Sequence, residues 1–203
     1  GFPFAGAPCT PKECMTTPSF LEKSEIVIRL NEALRELYAR DPHLLAVDAN
    51  ERSITHRLAV YIEKHFHGWD VDCEYNRIGG DGSSKRLKDV QGILRDAMAR
   101  QRSTRRSTQA KKQRLTADTE GRTVYPDIVV HVRGKRHNLL AIELKKSSNR
   151  IDDQVDHAKL ALYLDPRELG YRFGCFVRLP VGVGAQPMRL DESHVLGEEP
   201  PPP

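Results

Sequence analysis

Apolar residues recur along this chain in helical stripes and in short strand-like runs. Ile26, Leu30, Leu34 and Leu37 form the first stripe. Ser19, with Glu22 three residues on, is a candidate capping box for that helix, and Asp41-Pro42 stops it. Ile54, Leu58, Ile62 and Phe66 predict a second helix over 48–66, ending near Gly68. Val90, Ile93, Leu94 and Ala97 have helical spacing within a basic segment. Val155, Ala158, Leu160 and Leu162 supply the inward face of a helix over 152–163. Residues 69–77, 124–131, 139–145 and 171–177 read as strands, with Val71, Cys73 and Tyr75 alternating with acidic neighbours in the first. This order predicts an α/β fold: a central mixed β-sheet flanked by helices, with an N-terminal helix and a basic helical insert. A single domain over 19–195, with the insert at about 80–120, lies between a flexible arm (1–18) and a proline-rich tail (196–203).

Two of these strands carry charge where a core strand would be apolar. Pro126-Asp127 opens one, and Glu143-Leu144-Lys145 closes the next. Side chains alternate along a strand, so Glu143 and Lys145 share one face while Leu144 joins Leu140 and Ile142 on the other. The polar linker Arg133-Gly134-Lys135-Arg136-His137 predicts a short hairpin. If its centre is Lys135, Asp127 lies directly across from Glu143, with Cβ atoms about 5 Å apart. Two carboxylates that close repel unless a cation sits between them, and hard oxygen ligands suit Mg²⁺, with Mn²⁺ as a substitute. The plainer alternative is a Glu143–Lys145 ion pair on an exposed strand face.

Pro126, Asp127, Glu143 and Lys145 resemble the PD-(D/E)xK nuclease motif over roughly residues 48–178. That resemblance implies a restriction-endonuclease-like core of four strands flanked by helices, and a metal-dependent nuclease that hydrolyses phosphodiester bonds, in DNA rather than RNA. It implies catalytic roles for Asp127, Glu143, Lys145 and Glu51. Metal ligation falls to Asp127, Glu143, the Leu144 carbonyl and Glu51, the acidic residue on the helix before the sheet. Glu51 has a local alternative: Asp48 and Glu51 also have capping-box spacing. Gln154 and Lys159, on the helix after the motif, are either surface residues or neighbours of the same site.

Charge sharpens the choice of partner. The net charge is +4, but residues 85–114 hold eleven Lys or Arg and only Asp89 and Asp96 as acids, so this stretch carries +9 and the remainder −5. Such a segment attracts polyphosphate. Arg100, Arg102, Arg105, Arg106, Lys111 and Lys112 are its candidate nucleic-acid contacts. No apolar run is long enough to span a membrane and no secretory signal is visible. The four cysteines lack disulfide or zinc spacing; as buried free thiols they suit a reducing cytoplasm. His65 and His67, at a helix end, are expected to face solvent. Two other functions fit the composition: a nuclease-fold module that binds nucleic acid without catalysis, and a protein-interaction subunit of a larger assembly. A homodimer is compatible with any of these.

Overall fold

The computed structural model describes residues 21–75, 77–78, 83–84, 125–151 and 153–197. Helix α1 (Lys23–Arg40) buries the whole expected stripe, Ile26, Leu30, Leu34 and Leu37. Its N-cap is Glu22, whose N–H donates to Glu25 Oε2 at 3.1 Å, so the capping box sits three residues later than the Ser19 pattern predicts. Pro42 opens the short α2 (Pro42–Ala46), where its missing N–H costs nothing. Helix α3 (Glu51–His65) buries Ile54, Leu58 and Ile62, and Phe66 follows at its C-cap, also buried. Asn50 caps α3 by accepting from Arg52 N at 2.9 Å. Asp48 is not the cap: the chain turns left-handed there (φ 50°), and its carboxylate pairs with Lys146 Nζ at 2.8 Å. His65 is half-buried rather than solvent-facing. Its ring nitrogens meet Glu32 at 3.3 Å and Glu36 at 3.1 Å, which ties α3 to α1.

The strands are β1 (Asp70–Cys73), β2 (Arg77–Ile78), β3 (Ser83–Ser84), β4 (Ile128–His131), β5 (Asn138–Lys146), β6 (Phe173–Leu179) and β7 (Val195–Leu196). Strands β2 and β3 pair with each other. The other five form one mixed sheet in the order β1-β4-β5-β6-β7. The β1/β4, β4/β5 and β6/β7 pairs are antiparallel, and β5/β6 is parallel. A parallel neighbour needs a crossover, which helix α4 (Gln154–Leu164) supplies. The final strand, only two residues long, is too short to leave a periodic signal.

Both faces of the sheet are covered. Ile128, Val130, Leu140, Ile142 and Leu144 pack with the stripes of α1 and α3. On the opposite face Val129 and Ala141 pack with Leu160 and Tyr163 of α4 and with Leu169 and Tyr171. Gly174 lets α4 settle on β6: a Cβ there would lie 2.7 Å from Leu164 Cδ1. The buried positions of α4 are Asp156, Leu160 and Tyr163, whereas Val155, Ala158 and Leu162 are half-buried. The inward face is therefore rotated from the expected one, because an acid occupies a core position that apolar periodicity cannot reveal. Cys175 is buried as expected, but Cys73 is exposed. Among the described residues no helix is long and apolar enough to cross a membrane.

Candidate active site

The turn sets the site. Gly134 (φ 73°) takes the left-handed conformation the hairpin needs, and Val132 N donates to His137 O at 2.9 Å. The β4/β5 ladder pairs Ile128 with Ile142, Val129 with Ala141 and Val130 with Leu140, slipping by one residue only near the turn. Its symmetry about Lys135 is the expected register, and its next step brings Asp127 to Glu143. Just beyond the end of β4, Asp127 Oδ2 accepts from Leu144 N at 2.7 Å. Leu144 thus serves this carboxylate with its backbone while its side chain lies in the α1/α3 core.

Glu143 is 2% exposed. Its Oε1 accepts from Tyr163 OH at 2.9 Å and its Oε2 from Lys159 Nζ at 2.9 Å. Burial is the chief cause of a carboxyl pKa pushed up to about 7, and the nearby Asp127 charge adds to it against the pull of Lys159. Burial likewise raises Asp127 to about 6, opposed by the Leu144 N–H and Lys159 and assisted by the charges of Glu51 and Asp156.

Lys145 is buried and lies on the same face, but its ammonium turns toward α4. It donates to Asp156 Oδ2, lies 3.4 Å from Asp153 Oδ1, and reaches Ile151 O at 3.5 Å. Arg178 of β6, paired with Lys145 in the parallel ladder, donates through Nε to Asp153 Oδ2 at 3.0 Å. Lys159 Nζ also meets Asp156 Oδ1 at 3.3 Å. An exposed Glu143–Lys145 pair is thus not what forms: both residues are buried, and the ammonium on Glu143 belongs to Lys159.

Glu51, the first residue of α3, accepts from Lys146 N at 3.2 Å. Its side chain reaches the end of β5, and its charge is felt at Asp127, but its hydrogen bond goes to the backbone. Gln154 is exposed, whereas Lys159 is in the site. Arg100, Arg102, Arg105, Arg106, Lys111 and Lys112 lie outside the described residues. Asp156 and Tyr163 escaped sequence reasoning. The available signal was the spacing of Asp153, Asp156, Lys159 and Tyr163, which puts all four on one helical face.

Among the described residues, no group of three or more His, Cys, Asp or Glu side chains forms a ready-made metal centre. The donor chemistry nonetheless fits a hard divalent cation. Asp127, Glu143 and Asp156 cluster with the ammonium groups of Lys145 and Lys159, so full ionisation of this cluster leaves negative charge in excess. Among the described residues the Asp127 carboxylate accepts one hydrogen bond, through Oδ2, which leaves Oδ1 as a donor oxygen for a cation. Comparison with family models, with curated proteins and with solved structures finds no match.

Proposed function

We propose that the protein is a metal-dependent nuclease of the PD-(D/E)xK, restriction-endonuclease-like type, hydrolysing phosphodiester bonds in DNA. The observation that carries this reading is that Asp127 and Glu143 stand one residue beyond the Ile128–Ile142 pair of the β4/β5 ladder, where Asp127 accepts from Leu144 N, with Lys145 two residues from Glu143 on the same strand face. The run of two antiparallel pairs and one parallel pair, bridged by α4, supports the fold assignment. Asp127, Glu143, the Leu144 carbonyl and Glu51 would hold the Mg²⁺. When bound, such an ion supplies Lewis acidity to a phosphoryl oxygen and makes a water more acidic. The remaining work belongs to the chain. The Leu144 N–H fixes the Asp127 carboxylate, and Tyr163 and Lys159 fix that of Glu143. The ammonium groups of Lys145 and Lys159 supply positive charge where negative charge grows on the phosphate.

One observation favours a nuclease-fold binding module without catalysis: both oxygens of Glu143 already hold hydrogen bonds. Incubation with circular and linear duplex DNA, single-stranded DNA and RNA, in Mg²⁺, Mn²⁺ or EDTA, separates the readings. Cleavage of DNA with either metal and none in EDTA is the expected result. Binding without cleavage under every condition would indicate the module, and neither binding nor cleavage would remove both.

The basic segment gives a second expectation. Each phosphate neutralised adds about 0.9 to the slope of log affinity against log salt for duplex DNA. Replacing Arg100, Arg102, Arg105 and Arg106 by Gln should weaken binding across sequences and flatten that slope, while metal binding persists. Unchanged affinity and slope would show that the substrate enters elsewhere.

A further inference from the structure

A single buried carboxylate on α4 bridges the two lysines of the site. Asp156 is 9% exposed, and its Oδ2 accepts from Lys145 Nζ while its Oδ1 accepts from Lys159 Nζ. The two ammonium groups come from different elements, β5 and α4, and each carries a second contact. Lys145 is also steered by Asp153 and Lys159 by Glu143. Asp153 is itself held by Arg178 of β6, so the bridge is anchored on both sides of the β5/β6 ladder.

A buried acid is costly unless paired, and a helix core position would ordinarily be apolar. Leu160 and Tyr163, one and two turns on, show what that face of α4 otherwise buries. A leucine at position 156 would leave the Lys145 and Lys159 ammonium groups without their shared counter-charge. Asp156 is therefore explained by the lysines it holds rather than by the packing of the helix.

We propose that Asp156 is a positioning residue for both site lysines, fixing the Lys145 and Lys159 ammonium groups relative to Asp127 and Glu143 so that both address the substrate phosphate; this rests on the nuclease reading. Loss of one geometry-setting partner beside an active centre lowers activity about 10–100-fold. Because the lysines act on charge that develops in the reaction, the loss falls on kcat and leaves KM unchanged.

Two measurements test this. In the metal-free wild-type protein, NMR should show through-hydrogen-bond couplings from both lysine Nζ atoms to the Asp156 carboxyl carbon. This needs no substitution, no metal and no activity, so it decides the bridge even if the wild type cleaves nothing, which would defeat the nuclease reading instead. Coupling to neither lysine, or to only one, would overturn the bridge. In Asp156→Asn, kcat on DNA with Mg²⁺ should fall about 10–100-fold at unchanged KM, with partial recovery in Asp156→Glu. Wild-type kcat in Asp156→Asn, or a loss confined to KM, would overturn the positioning role.

Discussion

If the protein is the proposed nuclease, Asp127→Asn and Glu143→Gln should each lower metal-dependent cleavage of DNA at least about 100-fold, a loss greater than that typical of groups one shell removed from a metal. Both substitutions keep the shape of the side chain and remove its charge. The amide oxygen introduced at position 127 can still accept from Leu144 N, and the one introduced at position 143 can still accept from Tyr163 or Lys159. The β4/β5 ladder therefore has no reason to shift. What disappears is half of the paired negative charge that suits a hard cation. Ala variants should be no more active, and Asp127→Ala adds a local cost by leaving the Leu144 N–H without its acceptor. Single-turnover rates on duplex DNA at saturating Mg²⁺ check this. Either conservative variant cleaving within about tenfold of the wild type would contradict the assignment of that residue.

Ionisation of Asp127 and Glu143 should cost the metal-free protein stability as pH rises from about 4 to about 7. The folded-state pKa values of Asp127 and Glu143 are raised, to about 6 and about 7, chiefly by burial. In the window between the ordinary carboxyl values and these raised ones, the folded chain binds more protons than the unfolded chain. The free energy of unfolding therefore falls with rising pH. At about 1.36 kcal/mol per pH unit, the raised pKa of each carboxyl corresponds to a penalty of about 3 kcal/mol, so ionising the pair costs of order 6 kcal/mol. Asp165 and Asp191, held at about 2 by hydrogen bonds from neighbouring side chains, act oppositely and only at lower pH. Urea unfolding in EDTA from about pH 4.5 to 8 should show the Asp127→Asn/Glu143→Gln double variant gaining on the wild type by about 5 kcal/mol. Parallel curves would mean that these acids carry no ionisation penalty.

These two carboxylates could be read from sequence because their meeting is local. A polar turn with one required glycine fixes the register, and alternation along β5 then fixes the face. The stripes of α1 and α3 were legible for a similar reason, since each helix buries one regular set of apolar residues. The partners of the carboxylates were not. Lys159, Tyr163 and Asp156 arrive on α4 through the crossover, and their contacts with Glu143 and Lys145 depend on how that helix lies across the sheet. Because Asp156 is an acid at a buried position, apolar spacing pointed to Val155, Ala158 and Leu162 instead, which hid the true inward face of α4 as well as the role of Asp156. Helix starts failed on a finer scale: α1 is capped at Glu22 rather than at the Ser19 candidate, and α3 at Asn50 rather than at Asp48, where the chain turns left-handed.

If Asp127 and Glu143 form one divalent-cation site, titration calorimetry with Mn²⁺ on the metal-free protein will register it. The wild type should bind Mn²⁺, Asp127→Asn and Glu143→Gln should each lose that binding, and Lys145→Ala should retain it. A wild type that takes up no Mn²⁺, or carboxylate variants that bind it as the wild type does, would contradict such a site.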